Sequence, residues 1–467
     1  MWTSSGHKVG SVRKFHPLAG DNIPNGDSHN VDAPQPSQLR RDVLNLSLPA
    51  FGSLVAPPLF LLVDAAIVAS LGTTALAGLG AGSTVFSAIV GLSFFLAYQT
   101  TGSVSRALGA GDHKRALASA GNNLALGIAL GCVLGLGLYL YADQLLDLIG
   151  VSEAVAPAAK SWLHAITWAM PGALGTMAAI GLFRGFSNTK ITLYITTIQV
   201  AINAALCWLF VMQFEWGIAG SAWATSFAET IGLILYLAVI HQQIDGGLRS
   251  LVPRNFLSVW QSLGEGTPLI WRSVMLRGVL SGVVVAAAHL GDVQLAAFHV
   301  SFVVWYTLAL SLDAIAIAAQ AIIGGLVGSG KTETAHHVLW QLVRWGVWLG
   351  VAQGALVMVT SPLIAQAFSD DPQLTNLITI ALIAVGIHQP LAAVVFVLDG
   401  VLIGAGDTRF LAKVHTVGFV IFLPLIVGAV LLQLHLVFLW VVMIIFIGIR
   451  CALLIRRART DDWMLNK

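Results

Sequence analysis

From about residue 43 onward one apolar stretch follows another almost without pause. A helix needs roughly 20 apolar residues to cross a bilayer, and no other regular structure except a closed barrel can span one. The spacing predicts twelve spanning helices, over 44–70, 79–103, 117–141, 158–185, 190–213, 217–241, 261–290, 295–324, 337–361, 376–403, 409–431 and 434–455. Composition agrees. Of the 467 residues 57% are hydrophobic and 10% charged, against roughly 25% charged in an average soluble protein. That excludes a soluble enzyme and a disordered chain. With 24 basic and 22 acidic residues the net charge is +2, so there is no polybasic footprint and nucleic acid is not an expected partner. The expected fold is all-α and integral to the membrane.

The flanks of these runs carry further signals. Residues 1–40 are polar, rich in Ser, Gly, Pro and Asn, and read as a disordered cytoplasmic tail. They carry no apolar core of a cleaved signal peptide. The tail holds Lys8, Arg13, Lys14, Arg40 and Arg41. Every second loop after it is basic: Arg106, Lys114 and Arg115; Arg184 and Lys190; Arg249 and Arg254; Lys331; Arg409 and Lys413. Residues 456–467 form a basic tail with Arg456, Arg457 and Arg459, and Lys160 is the one clear exception to the alternation. The positive-inside rule then puts both termini in the cytoplasm. Cys132, Cys207 and Cys451 sit inside apolar runs without CxxC or zinc spacing, so neither a disulfide framework nor a metal site is indicated, and no cofactor motif appears.

Sliding the chain on itself by 219 residues brings many landmarks into one register. Pro49 meets Pro268, Leu71-Gly72 meets Leu290-Gly291, Leu76-Ala77 meets Leu295-Ala296, and Pro171 meets Pro390. Gly109-Ala110-Gly111 meets Gly328-Ser329-Gly330, and Gly185 and Thr189 meet Gly404 and Thr408. Each half then holds six helices. Six is even, so both halves enter the membrane from the same side and are related by a pseudo-twofold axis along its normal. The expected division is 41–242 for the first bundle, 243–260 for a cytoplasmic connector and 261–455 for the second bundle.

Several stretches resemble a known family. LVDAAIVASLGTTALAGLG, LGAGDHKRA, RGFSNTK and GIAGSAWATSFAE resemble the MATE (multidrug and toxic compound extrusion) transporters. WRS, SLDAIAIAAQ and LDGVLIGAGDTR resemble their DinF branch in particular. The resemblance covers about residues 41–455. It implies twelve helices in two bundles, and alternating-access efflux of organic, cationic or lipophilic compounds in exchange for protons or sodium ions. It also implies a monomer in the cell membrane, the inner membrane of a bacterium.

Among single residues Asp64 stands out: an acid in the first span, in PPLFLLVDAAIV, with no charge nearby in sequence. Intramembrane acids face a cavity or a partner, and low dielectric disfavours the charged form of a carboxyl group, so such an acid suits proton loading and release. Pro57 and Pro58 withhold two helix hydrogen bonds just before it and make a candidate hinge. The resemblance places Asp64 on the family's first-helix aspartate, associated with cation coupling. It places Asn203 in the fifth span and Thr225 in the sixth in the same polar cluster. Family members often carry a second acid four residues after that asparagine; here the residue is Cys207, which weakens a sodium site because hard cations want several oxygen ligands. Glu229, in the middle of the sixth span, is a further intramembrane acid. In the second half Arg272, Asp313 and Asp399 fall on DinF-type motif positions. Arg272 and Asp313 lie at matching depth, which favours an ion pair between them over a charge switch lining the cleft. Arg277 matches no motif. Tyr98, Gln99, His299, Gln320, His388 and Gln389 add polarity inside the spans.

Gly325–Thr332 satisfies the P-loop expression GxxxxGK[ST], but a P-loop needs a strand before it and here an apolar span precedes it. The leading reading is therefore a secondary antiporter and not an enzyme. Its rivals are a lipid-linked precursor flippase, which wants a strongly basic central cavity, and an integral-membrane transferase, which wants Asp/His clusters at the membrane–water loops.

Overall fold

The structure, a computed structural model, describes residues 36–244, 246–253 and 255–465. Residues 1–35 of the expected tail, Asp245 and Arg254 of the expected connector, and residues 466–467 lie outside the described residues. Twelve spans follow in order. They are α1 (Pro36–Ala69), α2 (Thr73–Gly109), α3 (His113–Leu140), α4 (Ala156–Ile166 with Ala169–Gly185), α5 (Thr189–Gln213) and α6 (Gly217–Gln243). The second six are α7 (Phe256–His289), α8 (Asp292–Gly328), α9 (Thr332–Phe368), α10 (Pro372–Ala405), α11 (Thr408–Leu431) and α12 (Leu436–Ala458). Eleven are long and apolar enough to cross a membrane alone; α4 qualifies as a pair bent by 52°. The bend falls where Pro171, which has no N–H, cannot donate back to the preceding turn. α1 runs unbroken through Pro49, Pro57 and Pro58.

Helix ends differ from the hydropathy limits because turn chemistry sets them. Gly72 (φ 103°) starts α2, and Asp112 accepts from the Arg115 N–H to start α3. These turns repeat in the second half. The helix starts at Thr73, His113, Thr189 and Gly217 recur 219 residues later at Asp292, Thr332, Thr408 and Leu436. The left-handed turn residues Gly72 and Gly111 recur likewise as Gly291 and Gly330. The P-loop-like stretch is therefore the α8–α9 turn, the counterpart of the α2–α3 turn.

The chain forms two six-helix bundles related by a pseudo-twofold axis along the membrane normal. Three local expectations need correction. The helix of α1 already includes residues 36–40, assigned above to the tail, because Leu39 begins the buried stripe continued by Val43 and Leu46. Arg184 is not a loop cation; it is buried in the last turn of α4. The C-terminal tail is partly docked: Trp463 is buried, and Arg457 bonds Asp407 at 2.8 Å and Asp462 at 3.0 Å.

The bundles meet along the half of the molecule nearest the basic loops. There Arg106 donates to the Gly404 and Ile403 carbonyls at the end of α10 (2.7 and 3.3 Å), Gln99 to the Ser262 carbonyl (2.7 Å), and Ser258 to Asn122 (3.1 Å). Among the described residues, the hydrogen bond between them that lies farthest from the basic loops joins Arg277 to the Ser87 carbonyl at 3.5 Å, about midway along α2.

Candidate transport site

The first bundle holds its acid with neutral groups. Asp64 is only 2% exposed, in the last third of α1, toward the face opposite the basic loops. The Cys207 thiol of α5 donates to its Oδ1 at 3.0 Å, and the Ser221 hydroxyl of α6 stands beside both groups. One turn deeper, Asn203 and Thr225 join α5 to α6 by reciprocal contacts of 3.3 and 3.4 Å. One turn deeper again, Glu229 lies against the Gln199 amide. Asp64, Asn203 and Thr225 thus share one seam where α1, α5 and α6 meet, and Glu229 continues it without touching Asp64. Sequence reasoning treated Cys207 as a missing acid; the structure makes it the direct partner of Asp64. Ser221 was not foreseen, although its spacing four residues before Thr225 marks it.

The second bundle holds its acid with cations. Asp399 on α10 accepts from Arg272 of α7 and Arg450 of α12, each at 2.7 Å, with the His415 ring of α11 at 4.0 Å. The expected Arg272–Asp313 pair is not formed. The depths match, but Arg272 turns toward α10, and Asp313 instead takes the Tyr98 hydroxyl of α2 at 3.3 Å. Arg184, from the first bundle, acts on Asp313 and Tyr98 electrostatically. Arg450 escaped sequence reasoning, although a lone arginine in the apolar run GIRCALL is the signal that finds it. Between the bundles Tyr98, Arg272, Asp313, Gln320, Phe396 and Asp399 enclose a cavity of about 20 Å³, room for a single water molecule. Gln320 spans the interface by donating to the Tyr98 carbonyl at 2.5 Å, and His388 is buried under the Trp305 indole, which donates to it at 3.3 Å.

Two pseudo-equivalent six-helix lobes that meet around buried charged groups define the class of two-lobed membrane transporters. The MatE family profile matches residues 49–209 and 268–427, one match in each lobe. The chain belongs to the MatE family, whose members are multidrug and toxin efflux transporters and not enzymes. Among its relatives, the chloroplastic DETOXIFICATION 44 protein of Arabidopsis thaliana is 28% identical over 431 residues, covering 89% of this chain and 82% of that one. DNA damage-inducible protein F of Escherichia coli (strain K12) is 24% identical over 367 residues, 77% and 80% of the two chains. The bent form of the Vibrio cholerae MATE transporter VcmN shares the fold, with a TM-score of 0.82 at 18% identity over 92% of this chain and 99% of that one.

Proposed function

We propose that the protein exports small organic compounds in exchange for protons, with Asp64 as the coupling group. The observation that carries this is the company Asp64 keeps: a buried carboxyl group bonded to a thiol and flanked by a hydroxyl, with no fixed cation against it. Such an acid can exist neutral or charged in place, whereas one clamped by arginines cannot. A sodium ion wants several oxygen ligands, and here a sulfur occupies one flank of the carboxylate. Asn203, Thr225 and Glu229 extend the polar seam and keep its walls hydrated for proton exchange. Pro57 and Pro58, within the unbroken α1, leave the carbonyls of Ser53 and Leu54 without their helix donors, so α1 bends there when Asp64 changes charge. Related transporters have been solved in straight and bent forms.

The Arg272–Asp399–Arg450 cluster fixes the second bundle, and Asp313 with Tyr98 and Arg272 lines the small cavity where the bundles meet. The basic-loop face is placed in the cytoplasm by the positive-inside rule, with 243–260 as connector between bundles 41–242 and 261–455, in a monomer. We assign it to the cell membrane, bacterial inner membrane included; the chloroplastic relatives offer an organellar membrane as the other location. The test is flux in proteoliposomes containing the purified chain. Efflux driven by a pH gradient without sodium supports the reading. Efflux that follows a sodium gradient at fixed pH reassigns the ion, and flux indifferent to both removes the antiport.

A further inference from the structure

We infer that residues 248–252 and 256–260, at the junction of the two bundles, form an anchor that lies in the membrane interface on the basic-loop side and selects anionic phospholipid. Depth is the first observation. The Ser258 hydroxyl donates to Asn122 of α3 at 3.1 Å. From Asn122 to the far end of α3 at Leu140 is about 27 Å at 1.5 Å per residue. That nearly fills a hydrocarbon layer of roughly 30 Å, so Ser258 stands at its edge and Phe256 beyond it. The repeat agrees. In the 219-residue register Val259-Trp260-Gln261 take the level of Arg40-Arg41-Asp42 in α1, where both arginines are exposed. Consecutive exposed charges of that kind belong among head groups and not among acyl chains.

At this level the second lobe shows apolar surface. Val252 is 67% exposed, Phe256 80%, and Leu257 and Trp260 60% each. The short turn Gly247–Leu251 holds Leu248 and Val252 outward, because Leu251 is buried and its carbonyl lies where a side chain at Gly121 of α3 would be. Contiguous exposed apolar patches mark an interaction surface, and the continuation of this one says what covers it. Phe256, Trp260, Trp271 and Val274 share one face of α7 and are all exposed. Trp271 and Val274 lie within the span, where lipid is the solvent. The lipid that covers them extends to Trp260, at the boundary depth where an indole sits best.

Charge selects the head group. Arg249 is exposed on the turn beside the patch, and Lys114 and Arg115 are exposed in the first turn of α3. The latter two precede Gly121 and Asn122 by two helical turns on the same face, about 10 Å farther toward the loops. Among the described residues none of the three makes an ion pair. Asp112, the acid beside them, caps α3 by accepting from the Arg115 N–H at 2.8 Å, and Glu265, two turns deeper on α7, acts on Arg106. Exposed cations around an apolar patch at this depth attract anionic phospholipid, whose head group meets the cations while its chains lie on the patch. A zwitterionic head group brings them no net charge.

The test uses the full chain with Cys132→Ala, which leaves only the buried Cys207 and Cys451, and with Val252→Cys carrying a bimane fluorophore. The protein is placed in phosphatidylcholine nanodiscs, which leave both faces open to an aqueous quencher. Phosphatidylglycerol bearing a nitroxide near the top of its acyl chain is expected to quench the fluorophore strongly, and aqueous iodide only weakly. Its association constant relative to phosphatidylcholine bearing the same nitroxide should be about fivefold or more, and Arg249→Gln should lower it by about fivefold, the worth of one basic residue near an anionic surface. Arg249→Lys should keep the preference and shows that the segment is intact. Quenching by iodide and by neither lipid would put the segment in water, and quenching by none of the three would put it under protein. Equal quenching by the two lipids, or an unchanged preference in Arg249→Gln, would remove the selectivity. Each of these outcomes overturns the inference. The measurement contains neither gradient nor substrate, so its result is independent of the export reading.

Discussion

The two lobes share a backbone and differ in what they do with a buried acid. In the first, Asp64, Asn203, Cys207, Ser221 and Thr225 build a polar seam between α1, α5 and α6. In the second, the residues 219 positions later are Val283, Phe422, Ile426, Trp440 and Ile444, and the first four are packed into the apolar core. The second lobe places its acid elsewhere, on α10, between two arginines. A carboxylate bonded to neutral groups can lose its charge without stranding a partner. One between two guanidinium groups cannot, because its neutralisation leaves two buried cations uncovered. On the coupling role proposed for Asp64, the duplicated fold separates a lobe that titrates from a lobe that holds.

The largest expected effect tests the first half of that contrast. Asp64→Asn keeps the shape and removes the titration, so gradient-driven flux should vanish while the melting temperature in detergent stays near that of the parent. Normal flux in this variant breaks the comparison. Asp399→Ala should do the opposite, costing about 3–5 kcal/mol by leaving buried charges unpaired and lowering the denaturation midpoint. Replacing the cluster together, as Arg272→Met with Asp399→Leu and Arg450→Met, should restore much of that stability. An Asp399→Ala protein that melts normally yet fails to transport would make the second lobe a coupling lobe as well.

A smaller effect is expected on planting an acid at the symmetric position. Val283→Asp puts a carboxyl group among Phe422, Ile426 and Trp440, with a cost of about 2.5–3.5 kcal/mol and no second coupling ion in the flux stoichiometry. Pro57→Ala with Pro58→Ala restores two helix donors and should slow turnover without changing equilibrium binding of substrate, as pre-steady-state flux would show. Cys207→Ala removes one hydrogen bond, worth about 0.5–1.5 kcal/mol, and should leave coupling to protons in place. Cys207→Asp should add sodium dependence, and if it does not, the thiol is not what disfavours the metal ion.

Much of this was legible in the sequence because hydropathy and turn chemistry are local. The twelve spans, the 219-residue register and the isolation of Asp64 all follow from short windows. What was hidden depends on helix rotation. Arg272 and Asp313 lie at one depth, yet a side chain's bearing around the helix decides its partner, and α10 presents Asp399 closer. Arg184 carries the loop signature of a cation at a helix end, but the last turn of α4 is packed between neighbours. The break in α4 is foreshadowed by Pro171, whereas its repeat partner Pro390 sits in an unbroken α10, so proline alone does not decide where a span divides.

The contact between Arg106 and the end of α10 has a consequence for how the chain can drift over generations. The acceptors are main-chain carbonyls of Ile403 and Gly404; a change of side chain at position 403 leaves its carbonyl in place, whereas any side chain at Gly404 would meet the Gln320 carbonyl of α8. The donor is one side chain. Heritable change can therefore loosen this latch at position 106 and at the glycines that admit its guanidinium, Gly102 and Gly406, more readily than at position 403.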